Sequence, residues 1–231
     1  MRIITWNCNG ALRRKFHKIE QFKADIVIIQ ECENPEQTAD KIYKKWASNF
    51  LWIGENKNKG LGIFCKDPLK LTHNKWETNG TKYFISANIN KRFNIVAAWN
   101  HHANSPNFGY IGQFWKYLQA NKHLMTSSII IAGDFNSNKI WDEWDRWWNH
   151  SDVVRELEDI NIRSLYHEHF KELQGKEKTP TLYLQRNVKK PYHVDYVFAD
   201  RKTFGKIKNI EIGKRSEWLK CSDHMPIIFK V

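Results

Sequence analysis

The chain has 231 residues, 41% of them hydrophobic, and its 37 Lys and Arg residues outnumber 25 Asp and Glu residues, which gives a formal net charge of +12. No apolar run approaches the roughly 20 residues that a membrane helix needs, so the composition excludes a helical membrane protein. No linker, repeat or low-complexity tract divides the chain, and we expect one domain over residues 1–231.

Apolar runs of strand length occur along the whole chain, with a smaller number of helical segments between them. This pattern indicates two sheets faced by helices. In the last predicted helix, Ser151 and Asp152 are the predicted N-caps, because they precede an apolar stripe that starts at Val153. The predicted strands cover residues 2–6, 26–30, 50–53, 61–65, 84–89, 94–99, 128–132, 194–199, 207–212 and 225–230, and the predicted helices cover 13–22, 36–46, 111–123 and 153–159.

The sequence begins directly with the strand-like run Arg2-Ile3-Ile4, with no charged leader before an apolar secretory stretch, and we expect a cytoplasmic protein. A monomer is the favoured oligomeric state. The four cysteines occur singly, which predicts reduced thiols without disulfides or a zinc site. A redox role is the less favoured alternative, because a reactive thiol needs an electropositive and exposed setting. The cysteines are Cys8, Cys32, Cys65 and Cys221.

Five short polar signatures each close a strand-like apolar run. Runs such as 26–29 and 129–132 are apolar enough to be buried in a sheet, so a carboxylate or amide that follows one lies at the rim of that sheet. Several such rims together build one acidic cleft. The signatures are Thr5-Trp6-Asn7, Gln30-Glu31, Gly133-Asp134-Phe135-Asn136, His193-Val194-Asp195-Tyr196 and Ser222-Asp223-His224.

In their order and placement, these signatures resemble the endonuclease/exonuclease/phosphatase (DNase I-like) superfamily. It includes DNase I, abasic-site endonucleases of the exonuclease III type, sphingomyelinases and inositol polyphosphate 5-phosphatases. The resemblance spans nearly the whole chain and is nearest in motif style to exonuclease III-type nucleases. It implies an α/β (α+β) fold, a four-layered sandwich of two packed mixed β-sheets flanked by helices, with the active site at one end.

Phosphodiester cleavage needs an aligned water nucleophile and counter-charge on the phosphate, and a hard cation such as Mg²⁺ supplies the counter-charge. Mg²⁺ takes oxygen ligands, commonly one or two carboxylates. By resemblance, Glu31 is the principal metal ligand with Asn7 beside it, Asp223 serves a second or alternative metal position, and Mn²⁺ is the alternative cation. Abasic-site endonucleases commonly read Trp-Asn-Val-Asp-Gly, whereas Asn9 stands here in place of the Asp, which predicts weaker metal affinity unless other ligands compensate.

His224 and Asp195 form the second predicted group. A carboxylate bonded to one imidazole nitrogen fixes the tautomer and favours the cation, which leaves the other nitrogen for a water or phosphate oxygen. The family pairs these positions in this way, so Asp195 is the predicted orienter and His224 the predicted acid or base that contacts phosphate. Outside this context, either motif is more often a turn or capping element.

Asp134 and Asn136 flank Phe135, and on an extended strand their side chains share one face. By resemblance, Asp134 orients or deprotonates the attacking water and Asn136 holds the phosphate or nucleophile. The sequence leaves open whether Asp134 or His224 is the base, and both are predicted to be catalytic.

Three further residues are predicted to bind substrate together with Asn7. Asn100 and His101 follow a strand where family members often carry a phosphate-contacting Tyr or His, although an exposed His pair is more often ordinary surface. Tyr192 stands where abasic-site endonucleases carry a Trp, three residues before the catalytic Asp. Leu182 stands where they carry an aromatic, so the match to an abasic-sugar pocket is partial.

Four tryptophans follow the Gly-Asp-Phe-Asn signature and would line one side of a helix. Burial of that face against the core is the favoured interpretation. Stacking of unpaired bases is the alternative, because aromatic side chains near a phosphodiesterase cleft can serve that purpose. The residues are Trp141, Trp144, Trp147 and Trp148.

The excess of basic residues favours a polyanionic partner, since such a surface neutralises phosphates. A lysine-rich genome composition is the alternative explanation. The leading hypothesis is a Mg²⁺-dependent nuclease acting on nucleic acid, DNA more than RNA. A phosphatase acting on a phosphoinositide or another small phosphoester is one alternative, because fold does not fix the leaving group. A non-catalytic nucleic-acid-binding module is the other.

Overall fold

The computed structural model describes residues 1–102, 107–126 and 128–231. Fourteen strands and seven α-helices lie within these ranges. The strands are β1 (Arg2–Asn7), β2 (Ile26–Cys32), β3 (Phe50–Asn56), β4 (Lys59–Cys65), β5 (Leu71–His73), β6 (Phe84–Ile89), β7 (Phe93–Trp99), β8 (Ile129–Asp134), β9 (Ile162–Ser164), β10 (Leu182–Tyr183), β11 (Pro191–Tyr192), β12 (Asp195–Asp200), β13 (Asn209–Ile212) and β14 (Ile227–Lys230). The helices are α1 (His17–Glu20), α2 (Lys41–Trp46), α3 (Ile111–Asn121), α4 (His150–Asp159), α5 (Leu165–Phe170), α6 (Arg201–Phe204) and α7 (Arg215–Trp218).

Two six-stranded sheets make up the described part of the molecule, together with the short ribbon β10-β11. The first sheet has the order β13-β14-β1-β2-β4-β3, and the second has the order β5-β6-β7-β8-β12-β9. Both are mixed, because β1 runs parallel to β2 and β7 runs parallel to β8 while the other pairs in these sheets are antiparallel. The second sheet is built from residues 71–200, and the chain on either side of that stretch builds the first.

Alternation along the strands divides the apolar side chains between three layers of core. On β1, Ile3 packs between the sheets while Ile4 packs against the helices outside. On β8, Ile130 faces the inter-sheet core and Ile131 faces the core under α3 and α4. Helices therefore cover both outer faces, and the predicted four-layered sandwich is confirmed.

Several predicted elements differ from those observed. The predicted helix 13–22 is only a 3₁₀ turn, Leu12–Arg14, followed by the single-turn helix α1, and the predicted helix 36–46 starts late, at Lys41. The N-cap prediction for α4 was wrong. Asn149 caps the helix in a capping box, and Asp152 is the N3 partner whose Oδ2 accepts the Asn149 N–H at 2.9 Å.

The tryptophan segment differs most from its prediction. After the 3₁₀ turn Lys139–Trp141 the chain forms turns and bends until α4 begins, so no helix carries the four indoles. Trp141, Trp144 and Trp147 are 43%, 96% and 62% exposed, and Trp148 alone is half-buried. The prediction that these side chains bury one helix face was wrong for the first three.

All four cysteines are free thiols, three of them buried. Burial raises the pKa of Cys65 to about 12, so this thiol stays protonated at neutral pH. No helix in the described ranges has the length and apolar character needed to span a bilayer.

Candidate active site

Strands from both sheets present polar side chains at one end of the sandwich. Asn7 ends β1 opposite Gln30 of β2, and Asp134 ends β8 opposite Asp195 of β12. The two sheets are joined here, because Asn7 Nδ2 donates a hydrogen bond of 2.9 Å to Asp134 Oδ2. Residues that are 127 positions apart in the chain therefore share one buried polar cluster.

His224 lies between the two aspartates. Its Nδ1 donates to Asp195 Oδ2 at 2.9 Å, and its Nε2 is 3.9 Å from Asp134 Oδ2. The loop before β14 is fixed by Ser222, whose Oγ donates to the Asn7 carbonyl oxygen and accepts the His224 backbone N–H. His224 is only 5% exposed, and the hydrogen bond from Nδ1 to Asp195 sets its ring orientation.

The charges in this cluster shift each other's pKa. Burial disfavours the imidazolium, but the carboxylates of Asp195 and Asp134 outweigh that effect and raise the pKa of His224 to about 10. Burial raises the pKa of Asp134 above its ordinary value, against the opposing effect of the His224 charge. At neutral pH, His224 is therefore protonated, and Asp134 takes up a proton more readily than an ordinary carboxylate.

Asp134 and Asn136 lie side by side, but not on the extended strand that the sequence suggests. β8 ends at Asp134, and Asn136 has φ 45°, a left-handed conformation that Asn tolerates better than most residues. Its backbone N–H donates to Asp134 Oδ1 at 2.9 Å and its Nδ2 donates to Oδ2 at 3.0 Å. Phe135 turns into the core, where it is 1% exposed.

Gly133 brings β8 unusually close to its neighbour. Its φ is 151°, and a Cβ at this position would lie 1.8 Å from the carbonyl oxygen of Ala98 on β7. Only glycine fits here. The close approach delivers Asp134 to the rim beside Asn100, whose backbone N–H donates to the Asp134 carbonyl oxygen at 2.8 Å.

Glu31 leaves the first sheet through a β-bulge. The pairing of β2 with β4 shifts between Gln30 and Cys32, and Glu31 has φ 62°, an uncommon value for a residue other than glycine. The bulge turns the carboxylate out of a buried strand, and its side chain is 20% exposed. Oε1 lies 3.4 Å from Asn7 Nδ2, and Oε2 lies 3.1 Å from Lys59 Nζ.

The donor chemistry of this cleft fits Mg²⁺. Glu31 offers a partly exposed carboxylate beside the Asn7 amide, and hard oxygen donors of this kind suit Mg²⁺ or Mn²⁺. Asp134, Asp195 and His224 form a second group, with one ligand atom each and all three atoms within 4.8 Å of one another. In that second group His224 Nδ1 is already engaged by Asp195, so Glu31 is the better candidate ligand.

Asn9 connects the two sides of the predicted metal position. Its backbone N–H donates to Asn7 Oδ1 at 3.0 Å, and its Nδ2 donates to Asp223 Oδ1 at 2.6 Å. A carboxylate at position 9 would face Asp223 with a like charge, whereas the amide makes a hydrogen bond. The Asn therefore holds Asp223 near Asn7.

The predicted substrate-binding residues occupy different environments. Asn100 is fully buried, and its Nδ2 donates to the Phe135 carbonyl oxygen at 3.0 Å. His101 is exposed as a residue, with its ring 5.2 Å from that of Trp99. Partial desolvation of the ring and the charge of Lys59 lower its pKa. Tyr192 is half-buried on β11. The roles assigned to these side chains remain predictions.

The family model of endonucleases, exonucleases and phosphatases matches residues 4–224 of this sequence. The chain belongs to the endonuclease/exonuclease/phosphatase family. The match includes every residue of the buried cluster and Glu31, and it confirms the predicted family. Comparison with curated proteins gives no significant match.

Solved structures of this family share the fold at low sequence identity. A 3'-5' exonuclease (NExo) from Neisseria meningitidis is 16% identical with a TM-score of 0.71, and the alignment covers 100% of this chain and 99% of that one. An AP endonuclease from Archaeoglobus fulgidus is 17% identical with a TM-score of 0.68, covering 100% and 98%. A variant of the 3' phosphatase NExo from Neisseria, bound to a product DNA hairpin, is 15% identical with a TM-score of 0.69, covering 100% and 98%.

Sequence reasoning missed a second group of polar residues beneath this family site. Asn138 Nδ2 lies 3.1 Å from Glu177 Oε2 and 2.9 Å from the His193 carbonyl oxygen, and Glu177 Oε1 lies 3.0 Å from His167 Nε2. Burial opposes the charge on Glu177, but hydrogen bonds from His167 and Asn138 lower its pKa to about 2. Asn138 thus ties the loop after β8 to the segment before Asp195, and Glu177 links Asn138 to His167 of α5. The sequence around Glu177 carries no signal for this contact.

Lys59 was also missed. It is the first residue of β4, directly after the two-residue turn 57–58, in a polar hairpin whose sequence resembles any exposed turn. The structure places its ammonium against Glu31 and 5.5 Å from the centre of the Trp99 ring. Lys59 could have been found only from the register of β2 with β4, because that pairing brings the start of β4 beside the bulge at Glu31.

Proposed function

We propose that this protein is a Mg²⁺-dependent phosphodiesterase that hydrolyses nucleic acid, DNA more than RNA. The observation that carries the proposal is the inter-sheet cluster, in which Asp134 accepts a hydrogen bond from Asn7 and faces the His224–Asp195 pair. A module that only binds nucleic acid has no need for a buried carboxylate and a buried imidazole that both have a raised pKa. Their presence supports catalysis.

Asp134 and His224 are proposed to act as base and acid respectively. A base works best when its pKa lies near the operating pH, and burial shifts the pKa of Asp134 upward in that direction. The protonated His224 places a positive charge, held by Asp195, where a phosphoryl oxygen gains negative charge. Asn136 is proposed to orient the water or phosphate through its amide.

Glu31 and Asn7 are the residues proposed to hold the cation, with Asp223 near them. When bound, Mg²⁺ supplies positive charge that stabilises the phosphate during in-line attack. Lys59 forms an ion pair with Glu31. When a cation binds to Glu31, the Lys59 ammonium would have to move away or remain on the second carboxylate oxygen.

The nucleic-acid preference rests on charge and on the relatives. The net charge of +12 suits a polyanion, because phosphate neutralisation releases counterions. Two of the similar structures carry nuclease names, and the third holds a DNA hairpin. A phosphatase specific for inositol phosphates has no comparable support from the structure.

A side-by-side assay tests the proposal on plasmid, abasic oligonucleotide, single strands, RNA and inositol phosphates, with Mg²⁺, Mn²⁺ or EDTA. We expect metal-dependent cleavage of polynucleotides, and a loss of at least about 100-fold in Glu31→Gln and in Asp134→Asn. Glu20→Gln, an exposed glutamate on α1, is the matched control and keeps full activity. Activity confined to inositol phosphates would refute the nuclease assignment, and inactivity on every phosphoester would favour a binding module.

A further inference from the structure

The three exposed tryptophans all lie in one short loop, residues 139–149, which we call the tryptophan loop. All eleven tryptophans of the chain fall within the described residues, and the other eight are buried or half-buried. Trp144 is 96% exposed and Trp147 is 62% exposed, so these rings add little to the core. Large apolar side chains that are concentrated on an exposed loop indicate a binding surface.

The tryptophan loop starts at the rim of the candidate active site. Asn138, which precedes it, accepts the Ile140 N–H through its side chain and donates to the carbonyl oxygen of His193. The Trp141 ring lies 5.1 Å from the ring of Tyr192, three residues before Asp195. An aromatic edge therefore continues outward from the catalytic cluster.

Basic side chains lie along the same edge. Lys189 and Lys190 are exposed and directly precede β11, which ends at Tyr192. Lys139 and Lys176 are exposed as well, and the Cβ of Lys139 lies against Gly175, the residue before Lys176. Alternating aromatic rings and cations suit a polynucleotide, since rings stack on bases and cations neutralise phosphates.

Two of the three acidic residues of the loop have partners in the loop or at the start of α4, and the third, Asp145, is exposed and lines the cavity at the far end of the loop. Asp142 accepts the backbone N–H of His150 at 2.9 Å, and Glu143 lies 3.8 Å from the guanidinium of Arg146. At the far end of the loop, Trp147 and Arg146 line a cavity of about 660 Å³ together with Tyr110. That volume is within the range of small-ligand sites and admits a nucleobase.

We propose that the tryptophan loop is a stacking platform for unpaired bases, so that the preferred substrate is single-stranded nucleic acid or a duplex with a single-stranded end. The inference rests on the proposed function and names its substrate class. A paired base offers its flat face only to its neighbours in the stack, whereas an unpaired base is free to lie on an exposed indole. The edge formed by Trp141 and Tyr192 leads such a strand toward Asp134 and His224.

Binding of a fluorescent oligothymidylate in EDTA at fixed KCl tests the platform without turnover. The triple variant Trp141→Ala, Trp144→Ala, Trp147→Ala should bind it at least about tenfold more weakly, since each stacked base contributes substantially to affinity. The same positions changed to Phe should restore most of the binding, because Phe still stacks. Ile42→Ala, which removes a 72% exposed apolar side chain on α2, is the matched control and should bind like wild type.

Two further measurements separate the outcomes. A blunt duplex should bind to wild type and triple variant within about twofold, since phosphate contacts dominate there. Unchanged binding of the single strand by the triple variant, or equal weakening for duplex and single strand, overturns the platform. So does a change of oligomeric state in light scattering, which would assign the loop to self-association.

Turnover of a small phosphodiester with Mg²⁺ reports on the proposed function separately. The double variant Trp144→Ala, Trp147→Ala, which leaves the contact between Trp141 and Tyr192 in place, should keep wild-type turnover of that substrate. If wild type turns over neither this substrate nor any phosphoester of the side-by-side assay while the single-strand effect persists, the proposed function fails and the binding role of the loop stands.

Discussion

His150 should make stability depend on pH in a way that one substitution removes. The side chain is 2% exposed at the start of α4, with Nδ1 3.2 Å from Ser137 Oγ and Nε2 3.1 Å from Gln174 Oε1. Burial lowers its pKa from 6.5 to about 4. As pH falls below 6.5, the unfolded chain takes up a proton at this site while the folded protein does not.

The stabilisation from neutral His150 is therefore complete above pH 6.5 and is lost as pH falls toward 4. A tenfold change in proton affinity corresponds to about 1.4 kcal/mol, so the total loss is about 3 kcal/mol, of which about 2 kcal/mol has gone by about pH 5. Asp134, His224 and Glu177 titrate as well, and the pH curve of wild type alone does not isolate His150.

The assay is urea unfolding of wild type and His150→Gln at a series of pH values from neutral to about pH 4.5. Gln cannot titrate, so the difference in unfolding free energy between the two proteins should shrink by about 2 to 3 kcal/mol over that interval. Ser137→Ala keeps the imidazole and should run parallel to wild type. A difference between wild type and His150→Gln that stays constant with pH would refute the reasoning.

Three more changes test other parts of the structure. Gly133→Ala should destabilise the fold by about 3 kcal/mol or more in urea unfolding, because its Cβ would meet the Ala98 carbonyl oxygen; wild-type stability would contradict the close approach. Asp195→Asn should lower kcat on a small phosphodiester by about 10²- to 10⁴-fold with little change in KM, and an unchanged kcat would refute the role of Asp195 in orienting and charging His224. Turnover of limiting DNA should fall steeply as KCl rises, and a flat response would mean that the lysines are ordinary solvated surface.

Much of the fold was predictable because strand signals are local. The run at 129–132 is apolar throughout, and it forms β8 at the centre of the second sheet with Asp134 at its end. The family resemblance then supplied the pairing of distant ends, such as Asp195 with His224. The local sequence of a strand does not indicate which other strand ends lie beside it in the fold.

The errors arose where tertiary contacts override local pattern. The indole-rich segment has an apolar periodicity that favours a helix, yet Asn138 and Asn149 cap and hold a turn there. Glu31 needs a bulge, which depends on the register between β2 and β4 and not on residue type. Glu177 and Lys59 reach the site through folding partners far along the chain, so neither shows a motif.

The hydrogen bond between Asn7 and Asp134 makes the geometry of the candidate active site depend on how the two sheets pack against each other. Among the described residues, the backbone hydrogen bonds between strands of the two large sheets each stay within one sheet. A small lateral slide of one sheet over the other would therefore leave these hydrogen bonds intact and still separate Asn7 from Asp134. Hydrolysis should accordingly fail on warming while the circular dichroism of the strands is still native. Mutations in the inter-sheet core, far from any phosphate, should then change the rate of the proposed hydrolysis without changing the strand content.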